Sequence, residues 1–288
     1  MTTILAVDIG GTKLAAARVG EDGSIEARAT RPTPVGDGEE VFAALVEATA
    51  EVQGGDETAC GVGTGGPMTP DGELVSPLNI GGWREFPLRG RLQGALGIPV
   101  YVDNDAKALA LAEGWRGAAV GVRDYIALVV STGIGGGIVL DGRLLDGAAG
   151  NAGHLGHVIV EPDGRLCECG ARGCLEAEAS GTAIAARTGR PAADADAEEQ
   201  ARAGRLVGRG LATVANLLDL RLAVAAGSVA LGFGDGFFGP AQAELDRSAR
   251  LEFSRGARVV PGGLGSDGPL IGAAAVALRA LGHPLGVG

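Results

Sequence analysis

The same pattern of glycine turns occurs twice in this 288-residue chain, and it constrains the fold more than any other feature. The segment "ILAVDIGGTKLAAARVGEDGSI" predicts two strands joined by a glycine turn, then an Asp22-Gly23 turn into a third strand. The segment "YIALVVSTGIGGGIVLDGRLL" repeats this order, with Asp141-Gly142 as its second turn. Two matching segments indicate an internal duplication, so we expect two related α/β halves.

Helical patterns fill the rest of the chain. Apolar residues recur at helical spacing in "EEVFAALVEATAEV", across residues 194–218 and in "GPLIGAAAVALRALG". The segment "VDNDAKALALAEGW" is typical of a strand end followed by a helix. The junction between the halves is expected near residues 113–123.

Charge and hydrophobicity exclude several classes of protein. The chain has 24 basic and 35 acidic residues, a formal charge of −11, and is 46% hydrophobic. Such an acidic chain is a poor ligand for a phosphate backbone, so we expect no nucleic acid and no membrane partner. No apolar run reaches membrane-spanning length, and Met1 leads directly into a strand pattern rather than a signal peptide. We therefore expect a soluble cytoplasmic protein.

The two glycine turns are candidate phosphate-binding loops. Both "DIGGTK" (Asp8 to Lys13) and "STGIGGG" (Ser131 to Gly137) allow backbone N–H groups to approach oxygens closely, and Thr12 and Thr132 add hydroxyls. Neither is a Walker loop. A strand pattern follows the second turn, whereas a dinucleotide-binding motif needs a helix at that place. The alternative is an ordinary hairpin turn. A matched pair favours one phosphate chain held between the halves.

Two carboxylates have candidate chemical roles. Asp8 stands beside the first turn, where its carboxylate would repel phosphate unless Mg²⁺ bridged the two. The alternative is that Asp8 caps the turn. Asp105 follows Asp103 and Asn104 near a predicted helix start. A hydroxyl that attacks a phosphoryl group needs a proton acceptor of this kind. On these residues alone, helix N-capping is the simpler interpretation of Asp105.

The segment 153–174, "GHLGHVIVEPDGRLCECGARGC", contains three of the four cysteines and two of the three histidines. The spacing H-x9-C-x-C-x4-C matches a closed, structural Cys3His zinc site, and glycines within it let the backbone fold around an ion. A reduced loop without metal is the alternative. His154 lies outside this ligand set and is available for another role, and Cys60 is expected in the core. The predicted metal ligands are His157, Cys167, Cys169 and Cys174.

The order of these motifs resembles the ROK family of sugar kinases and related repressors over essentially the whole chain. The motifs are "DIGGTK", "DNDA", "STGIGGG", "HLGH", "CECGARGCLE" and "AAGSVALG", and the histidine with the cysteine block is the most specific. The resemblance implies an actin-like ATPase (ribonuclease H-like) fold, with two duplicated α/β domains around a cleft. It places a smaller domain at 1–115, with the C-terminal helix (about 268–282) packed on it, and a larger domain at 116–267 that carries the zinc-binding loop.

The resemblance also implies an activity. Family members transfer the γ-phosphoryl group of ATP, with Mg²⁺, to the 6-hydroxyl of a hexose. Glucose is the first expectation for the sugar, N-acetylmannosamine is the alternative, and polyphosphate stays open as the donor. A sugar-responsive transcriptional regulator is disfavoured by the charge of −11 and by a first strand that begins by residue 3. The expected partners are a hexose, ATP and further copies of the chain, as a homodimer or homotetramer.

Site residues are carried over from the family by position. Asp105 becomes the catalytic base, and His157 is expected to bind structural Zn²⁺ with one ring nitrogen while the other faces the sugar. The expected sugar-binding residues are Gly66, Asn79, Asn104, Asp105, His154, His157 and Glu176. The expected ATP- and Mg²⁺-binding residues are Asp8, Gly10, Gly11, Thr12, Lys13, Thr132, Gly133 and Gly227.

One departure from the family pattern concerns the sugar. The usual motif is Glu-x-Gly-His, whereas this chain has His154-x-Gly-His157. An imidazole therefore replaces a carboxylate that accepts bonds from sugar hydroxyls. N-acetylmannosamine kinases of the family can carry His here too, so this position leaves the sugar open.

Overall fold

The computed structural model describes residues 2–285 and divides into two compact units. The first unit comprises the chain up to Arg116, the loop Asp146–Ala152 and the described chain from Ser266 onward. The second unit comprises Gly117–Leu145 and Gly153–Gly265. Each unit is built on its own five-stranded sheet.

The first sheet has the order β3-β2-β1-β4-β5. Its strands β1 and β2 pair antiparallel, as do β2 and β3, whereas β4 pairs parallel with both β1 and β5. The antiparallel part follows from the two tight turns expected from the sequence, and the parallel part from helical connections. The strands are β1 (Thr3–Ile9), β2 (Lys13–Gly20), β3 (Ile25–Pro32), β4 (Ala59–Thr64) and β5 (Val100–Asn104).

The second sheet has the equivalent order, β8-β7-β6-β9-β10, with β6 in the central position of β1. Its pairings are antiparallel for β6-β7 and β7-β8 and parallel for β6-β9 and β9-β10. The predicted α/β fold with duplicated halves is therefore confirmed. The strands are β6 (Tyr125–Val130), β7 (Ile134–Leu140), β8 (Arg143–Leu144), β9 (Leu222–Ala226) and β10 (Arg258–Pro261).

Helices cover the sheets where the periodicity predicts them. Helix α1 begins after Asp37, whose side chain accepts a hydrogen bond from the backbone N–H of Glu39 at 3.0 Å. It buries Val41 and Leu45 in the core of the first unit. The other helices of this part of the chain connect β4 to β5 and follow β5. The three helices are α1 (Gly38–Val52), α2 (Leu88–Leu96) and α3 (Asp105–Arg116).

The second unit is richer in helix. Its longest helix is capped by the side chain of Asp196, and its Gly204 and Gly208 lie against the backbone of a second helix so closely that a Cβ on either would overlap it. This close packing forms the centre of the second core. The helices are α4 (Leu175–Ala179), α5 (Gly181–Thr188), α6 (Ala197–Leu218), α7 (Ser228–Phe233) and α8 (Asp235–Ser248).

The last helix, α9 (Gly268–Ala280), belongs to the first unit. It packs on β1, β4 and α3, and glycines allow the approach because a Cβ on Gly61 would overlap the carbonyl oxygen of Ala273. Within residues 2–285, no helix is both long enough and apolar enough to cross a membrane.

Candidate active site

The first glycine turn (Gly10–Lys13) is closed by hydrogen bonds to its backbone. The N–H of Gly10 donates to the carbonyl oxygen of Lys13 at 2.9 Å, and the Thr33 hydroxyl donates to the carbonyl oxygen of Gly10 at 2.7 Å. A Cβ on Gly11 would lie 2.8 Å from Cβ of Asn79, so only glycine fits there. The backbone closes the turn without Asp8, which argues against the capping alternative for that carboxylate.

Asp8 and Asp105 are adjacent in the first unit. A Cβ on Gly63 would lie 4.0 Å from Oδ1 of Asp8 and 3.8 Å from Cα of Asp105, so both residues lie beside Gly63. The pKa of Asp8 is raised to about 7, mainly by burial and also by the negative charge of Asp105, while Lys13 opposes the shift. A carboxyl group that binds a proton near neutrality marks a site suited to a cation or to proton transfer.

The start of α3 presents Asp105 to solvent. Asn104 caps the helix: its Oδ1 accepts from the backbone N–H groups of Ala106 at 3.0 Å and Lys107 at 3.4 Å. The Asp105 side chain is exposed, and its Oδ1 accepts from the N–H of Ala106 at 2.8 Å. The capping role that the sequence offered to Asp105 therefore falls mainly on Asn104, whose amide oxygen is already engaged.

The other two sugar-site candidates of the first unit lie on loops. Gly66 follows β4, and Asn79 is exposed on the loop between β4 and α2. A Cβ on Gly65 would lie 3.4 Å from Oδ1 of Asn79. Together with its contact to Gly11, this places Asn79 beside both the first turn and the end of β4.

The structure reveals a charged cluster that the sequence reasoning missed. Lys107 is buried at 3% side-chain exposure and pairs with Asp103 and Asp146, each at 2.9 Å. The chain has only two lysines against 22 arginines, and that rarity is the one signal that could have drawn attention to Lys107.

The second glycine turn (Ser131–Gly133) contains neutral groups only. The N–H of Ser131 donates to the carbonyl oxygen of Gly133 at 2.9 Å. The N–H of Gly181 donates to the carbonyl oxygen of Ser131 at 2.7 Å. Thr132 is exposed, and its carbonyl oxygen accepts from the hydroxyl of Thr182 at 3.0 Å. The Thr132 side chain is therefore presented from a turn whose backbone is fixed.

Gly227 lies next to this turn in the second unit. Its φ of 97° is in the left-handed region, and a Cβ there would lie 2.5 Å from the carbonyl oxygen of Val130. The next residue, Ser228, shares a hydrogen bond of 2.9 Å with the hydroxyl of Ser131. The end of β6 and the start of α7 thus form one neutral, hydroxyl-bearing surface.

Glu176, on α4, lies against the second turn. Its Oε2 accepts from the backbone N–H of Ile134 at 2.8 Å, and a Cβ on Gly133 would lie 2.6 Å from that oxygen. Gly133 is therefore required for the position of the Glu176 carboxylate as well as for the turn.

The four predicted metal ligands converge in the second unit. Their ligand atoms all lie within 4.8 Å of one another. Sγ of Cys167 is 3.7 Å from Nδ1 of His157, and the sulfurs of Cys169 and Cys174 are 3.6 Å apart. Zn–S bonds of about 2.3 Å place two sulfurs of a tetrahedral site about 3.8 Å apart, so this donor set fits zinc.

The backbone of the cysteine loop (Arg165–Cys174) turns at two glycines with left-handed φ, 90° at Gly170 and 72° at Gly173. A Cβ on Gly173 would overlap the carbonyl oxygen of Glu161, whereas one on Gly170 would meet no heavy atom within 4 Å. Burial raises the pKa of Cys174 to about 12, while the backbone N–H of Ala171 lowers that of Cys169.

His154 is exposed and lies close to the cluster. Its ring centroid is 6.0 Å from that of His157, with 30° between the planes. The short 3-10 turn Leu155–His157 joins the two residues, and it packs closely on β7 because a Cβ on Gly156 would overlap the carbonyl oxygen of Ile134. Both imidazoles therefore stand on one short, tightly packed segment.

Two five-stranded mixed sheets of equivalent order define a protein of the actin-like ATPase fold. Residues 4–280 match the sequence model of the ROK family, and the chain belongs to that family.

Three known proteins illustrate the likeness. The chain is 41% identical over 248 residues to an N-acetylmannosamine kinase of Citrobacter koseri, covering 80% of this chain and 84% of that protein. It resembles the crystal structure of a ROK hexokinase from Thermus thermophilus with a TM-score of 0.82 and 36% identity, over 98% and 99% of the two chains. It resembles a ROK glucokinase from Streptomyces griseus, in complex with glucose and AMPPNP, with a TM-score of 0.82 and 32% identity, over 94% and 98%.

Proposed function

We propose that this chain is an N-acetylmannosamine kinase that transfers the γ-phosphoryl group of ATP to the 6-hydroxyl of the sugar. Its class, a sugar kinase of the ROK family, follows from the family match and the named relatives. The observation that carries the choice of sugar is the 41% identity to an N-acetylmannosamine kinase, against 32% to the glucokinase bound to glucose.

Asp105 is the proposed general base. Its exposed carboxylate accepts the proton of the 6-hydroxyl while the hydroxyl oxygen forms a bond to the γ-phosphorus of ATP. The bond from that phosphorus to the β,γ-bridging oxygen breaks, and ADP leaves with the electron pair. The cap that Asn104 provides on α3 supports this role, because it holds the backbone beside Asp105 in place.

The second turn is proposed to bind the phosphates of ATP. Its backbone is fixed by hydrogen bonds within the second unit. Thr132 offers a hydroxyl, and Gly133 lets phosphate oxygens approach the backbone closely. Gly227 brings the start of α7 beside this turn, which extends the neutral surface. In the first unit, Gly10, Gly11, Thr12 and Lys13 are the proposed counterparts.

Asp8 is the proposed residue for Mg²⁺. A bound Mg²⁺ neutralises charge on the transferred phosphoryl group. Asp8 suits a cation because burial and the charge of Asp105 disfavour its ionised form when no cation is present. The hydrogen bonds that close the first turn do not use the Asp8 carboxylate.

His157, Cys167, Cys169 and Cys174 are proposed to hold a structural zinc ion, which would keep the three thiols ionised and cross-link the loop. The Nδ1 atom of His157 faces Cys167, so Nε2 is left for a sugar hydroxyl. A metal that fixes one ring nitrogen fixes the direction of the other, which makes the imidazole a rigid sugar ligand. Glu176 is the proposed neighbouring acceptor.

His154 supplies a chemical reason for an N-acetylated sugar. A carboxylate at this position can only accept hydrogen bonds, whereas a neutral imidazole has one N–H to donate. The carbonyl oxygen of an N-acetyl group is an acceptor and matches that donor. A plain 2-hydroxyl can satisfy either side chain.

The test is a coupled ADP-release assay of the wild-type protein and His154→Glu across N-acetylmannosamine, N-acetylglucosamine, mannose, fructose and glucose. We expect kcat/KM to be highest for N-acetylmannosamine, and His154→Glu to lower the preference for it over glucose by about tenfold or more. Higher kcat/KM for glucose in the wild-type protein would overturn the choice of sugar. Absence of ADP release with every sugar would overturn the kinase proposal itself.

Glucose is the second candidate. It is supported by the 32% identity, over 94% of this chain, to the Streptomyces griseus glucokinase in complex with glucose. In that case His154→Glu is expected to keep kcat/KM for glucose within about tenfold of the wild-type value.

A further inference from the structure

We infer that Lys107 is a positioning residue: its buried ammonium group joins the end of β5, the first turn of α3 and the loop Asp146–Ala152, and thereby fixes the position of Asp105. The inference rests on the proposed function, because it gives this cluster a purpose in placing the proposed base.

The surroundings of Lys107 complete its hydrogen bonding. Its Nζ lies 2.9 Å from Oδ1 of Asp103, 2.9 Å from Oδ1 of Asp146 and 3.1 Å from the carbonyl oxygen of Gly150. An ammonium group has three N–H donors, and here each has an acceptor. The Lys107 side chain is 3% exposed and that of Asp103 14%, so this pair is largely shielded from water, whereas the Asp146 side chain is 48% exposed.

The contact with Asp103 acts on the backbone beside the base. Oδ1 of Asp103 also accepts from the N–H of Asn104 at 2.8 Å, and Oδ1 of Asn104 caps α3. Lys107 itself lies two residues after Asp105, within the first turn of the helix. The residues on both sides of Asp105 are therefore tied to the same ammonium group.

The contact with Asp146 acts on a loop 39 residues away in sequence. The loop is closed by a hydrogen bond of 3.0 Å from the N–H of Ala152 to the carbonyl oxygen of Asp146. Arg279, on α9, also holds the loop, with Nη2 2.7 Å from Oδ2 of Asp146, and its Nη1 lies 3.8 Å from Oδ2 of Asp103.

The choice of lysine over arginine is itself informative. The chain uses 22 arginines and two lysines, yet lysine occupies this buried position. Three acceptors around one nitrogen match an ammonium group, whereas a guanidinium spreads its donors over a planar fork. We therefore expect that arginine cannot replace Lys107.

The experiment compares Lys107→Met, Lys107→Arg and Arg279→Met with the wild-type protein. Lys107→Met and Lys107→Arg are expected to lower kcat for the sugar by at least about tenfold, since a small displacement of a catalytic group costs up to about 10²-fold. KM for ATP is expected to change by less than about threefold. Arg279→Met is the matched control, with kcat expected within about threefold, because Asp103 and Asp146 both keep their 2.9 Å contacts with Lys107.

Hydrogen exchange of peptides covering residues 103–110 and 146–152 provides a readout that needs no substrate. Lys107→Met is expected to accelerate exchange in both peptides, and Arg279→Met much less. Unchanged exchange in Lys107→Met would overturn the inference even if kcat fell. If the wild-type protein phosphorylates no sugar, the proposed function fails, while the exchange result still decides whether Lys107 tethers these two segments.

The double variant Lys107→Met with Asp103→Asn separates positioning from charge compensation. Lys107→Met removes the nearest cation from Asp103, which is 14% exposed and keeps the longer 3.8 Å contact with Arg279. Neutralising Asp103 is expected to restore the thermal stability of the protein but to leave kcat low, because the tether is still missing. Recovery of kcat together with stability would show that Lys107 only balances a buried charge.

Discussion

The two glycine turns occupy equivalent places in their sheets but differ in the chemistry around them. Ile9 pairs with Leu14 across the first turn and Val130 with Ile134 across the second, which is one residue shorter. Counting back one pair from each turn, Asp8 faces Ala15 in the first sheet. At the equivalent place in the second sheet, Val129 faces Gly135.

The difference shows that two duplicated turns can keep the same backbone while the side chains around them serve different roles. The backbone pattern is retained in both units, because a glycine turn at the end of a central strand is a good place for any ligand that approaches a backbone. The two units differ in the carboxylates around the turn. The first turn has Asp8 and Asp105 near it, whereas the second has hydroxyls and a glutamate whose Oε2 atom accepts from a backbone N–H.

The strongest test of this difference between the turns is to remove the carboxylate of Asp105, near the first turn. Asp105→Asn is expected to lower kcat by at least about 10²-fold, the lower end for general base catalysis, with little change in sugar affinity. Thr132→Val, beside the second turn, is expected to act mainly on KM for ATP. Steady-state kinetics of both variants measure this, and near-full turnover in Asp105→Asn would exclude it as the base.

Loss of the metal should affect the second unit alone. We expect about one zinc ion per chain by metal analysis, since four ligands close one tetrahedral shell. Cys169→Ser is expected to lose the metal and to raise KM for the sugar by about tenfold or more, while binding of an ATP analogue changes little.

The matched control for this change is Cys60→Ala, which alters a buried cysteine of the first core. It is expected to keep the zinc content of the wild-type protein. Full sugar affinity in a metal-free preparation of the wild-type protein would contradict a structural role for zinc.

The glycines of the two turns should respond unequally to alanine. Gly133→Ala places a Cβ where Oε2 of Glu176 now lies, 2.6 Å away, so that the carboxylate must leave the N–H of Ile134. We expect KM for the sugar to rise by about tenfold. Gly10→Ala brings a Cβ to 3.1 Å from the carbonyl oxygen of Lys13, and about a threefold effect is expected. An equal rise in the KM for the sugar in the two variants would mean that Glu176 has no part in sugar binding.

The last prediction concerns pH and Asp8, and it is measured as stability rather than as turnover. Burial, with Asp105, raises the pKa of Asp8 from 3.8 to about 7, so the folded state binds a proton more tightly than the unfolded state. Without Mg²⁺, this residue should therefore make the protein less stable as pH rises from about 4 to about 7. Asp8→Asn should remove that slope. Thermal unfolding of both proteins across this pH range measures the difference, and parallel curves would show that Asp8 titrates normally.

The sequence by itself determined the duplicated strand pattern, the main helices and which four residues of the cysteine segment are candidate metal ligands. These depend on local spacing: alternation and turn residues specify strands, apolar residues at helical spacing specify α1, α6 and α9, and four ligands lie within 18 residues in the printed sequence. The equivalent sheet orders then followed from matching segments.

Only the tertiary structure decided which side chains meet over long sequence distances. Lys107 and Asp146 are 39 residues apart, and Glu176 and Ile134 are 42 apart, so no local period relates either pair. The division of roles between Asn104 and Asp105 likewise depends on how far α3 extends and which side chain reaches its first N–H groups. Such contacts arise from the packing of whole elements, which a one-dimensional pattern does not record.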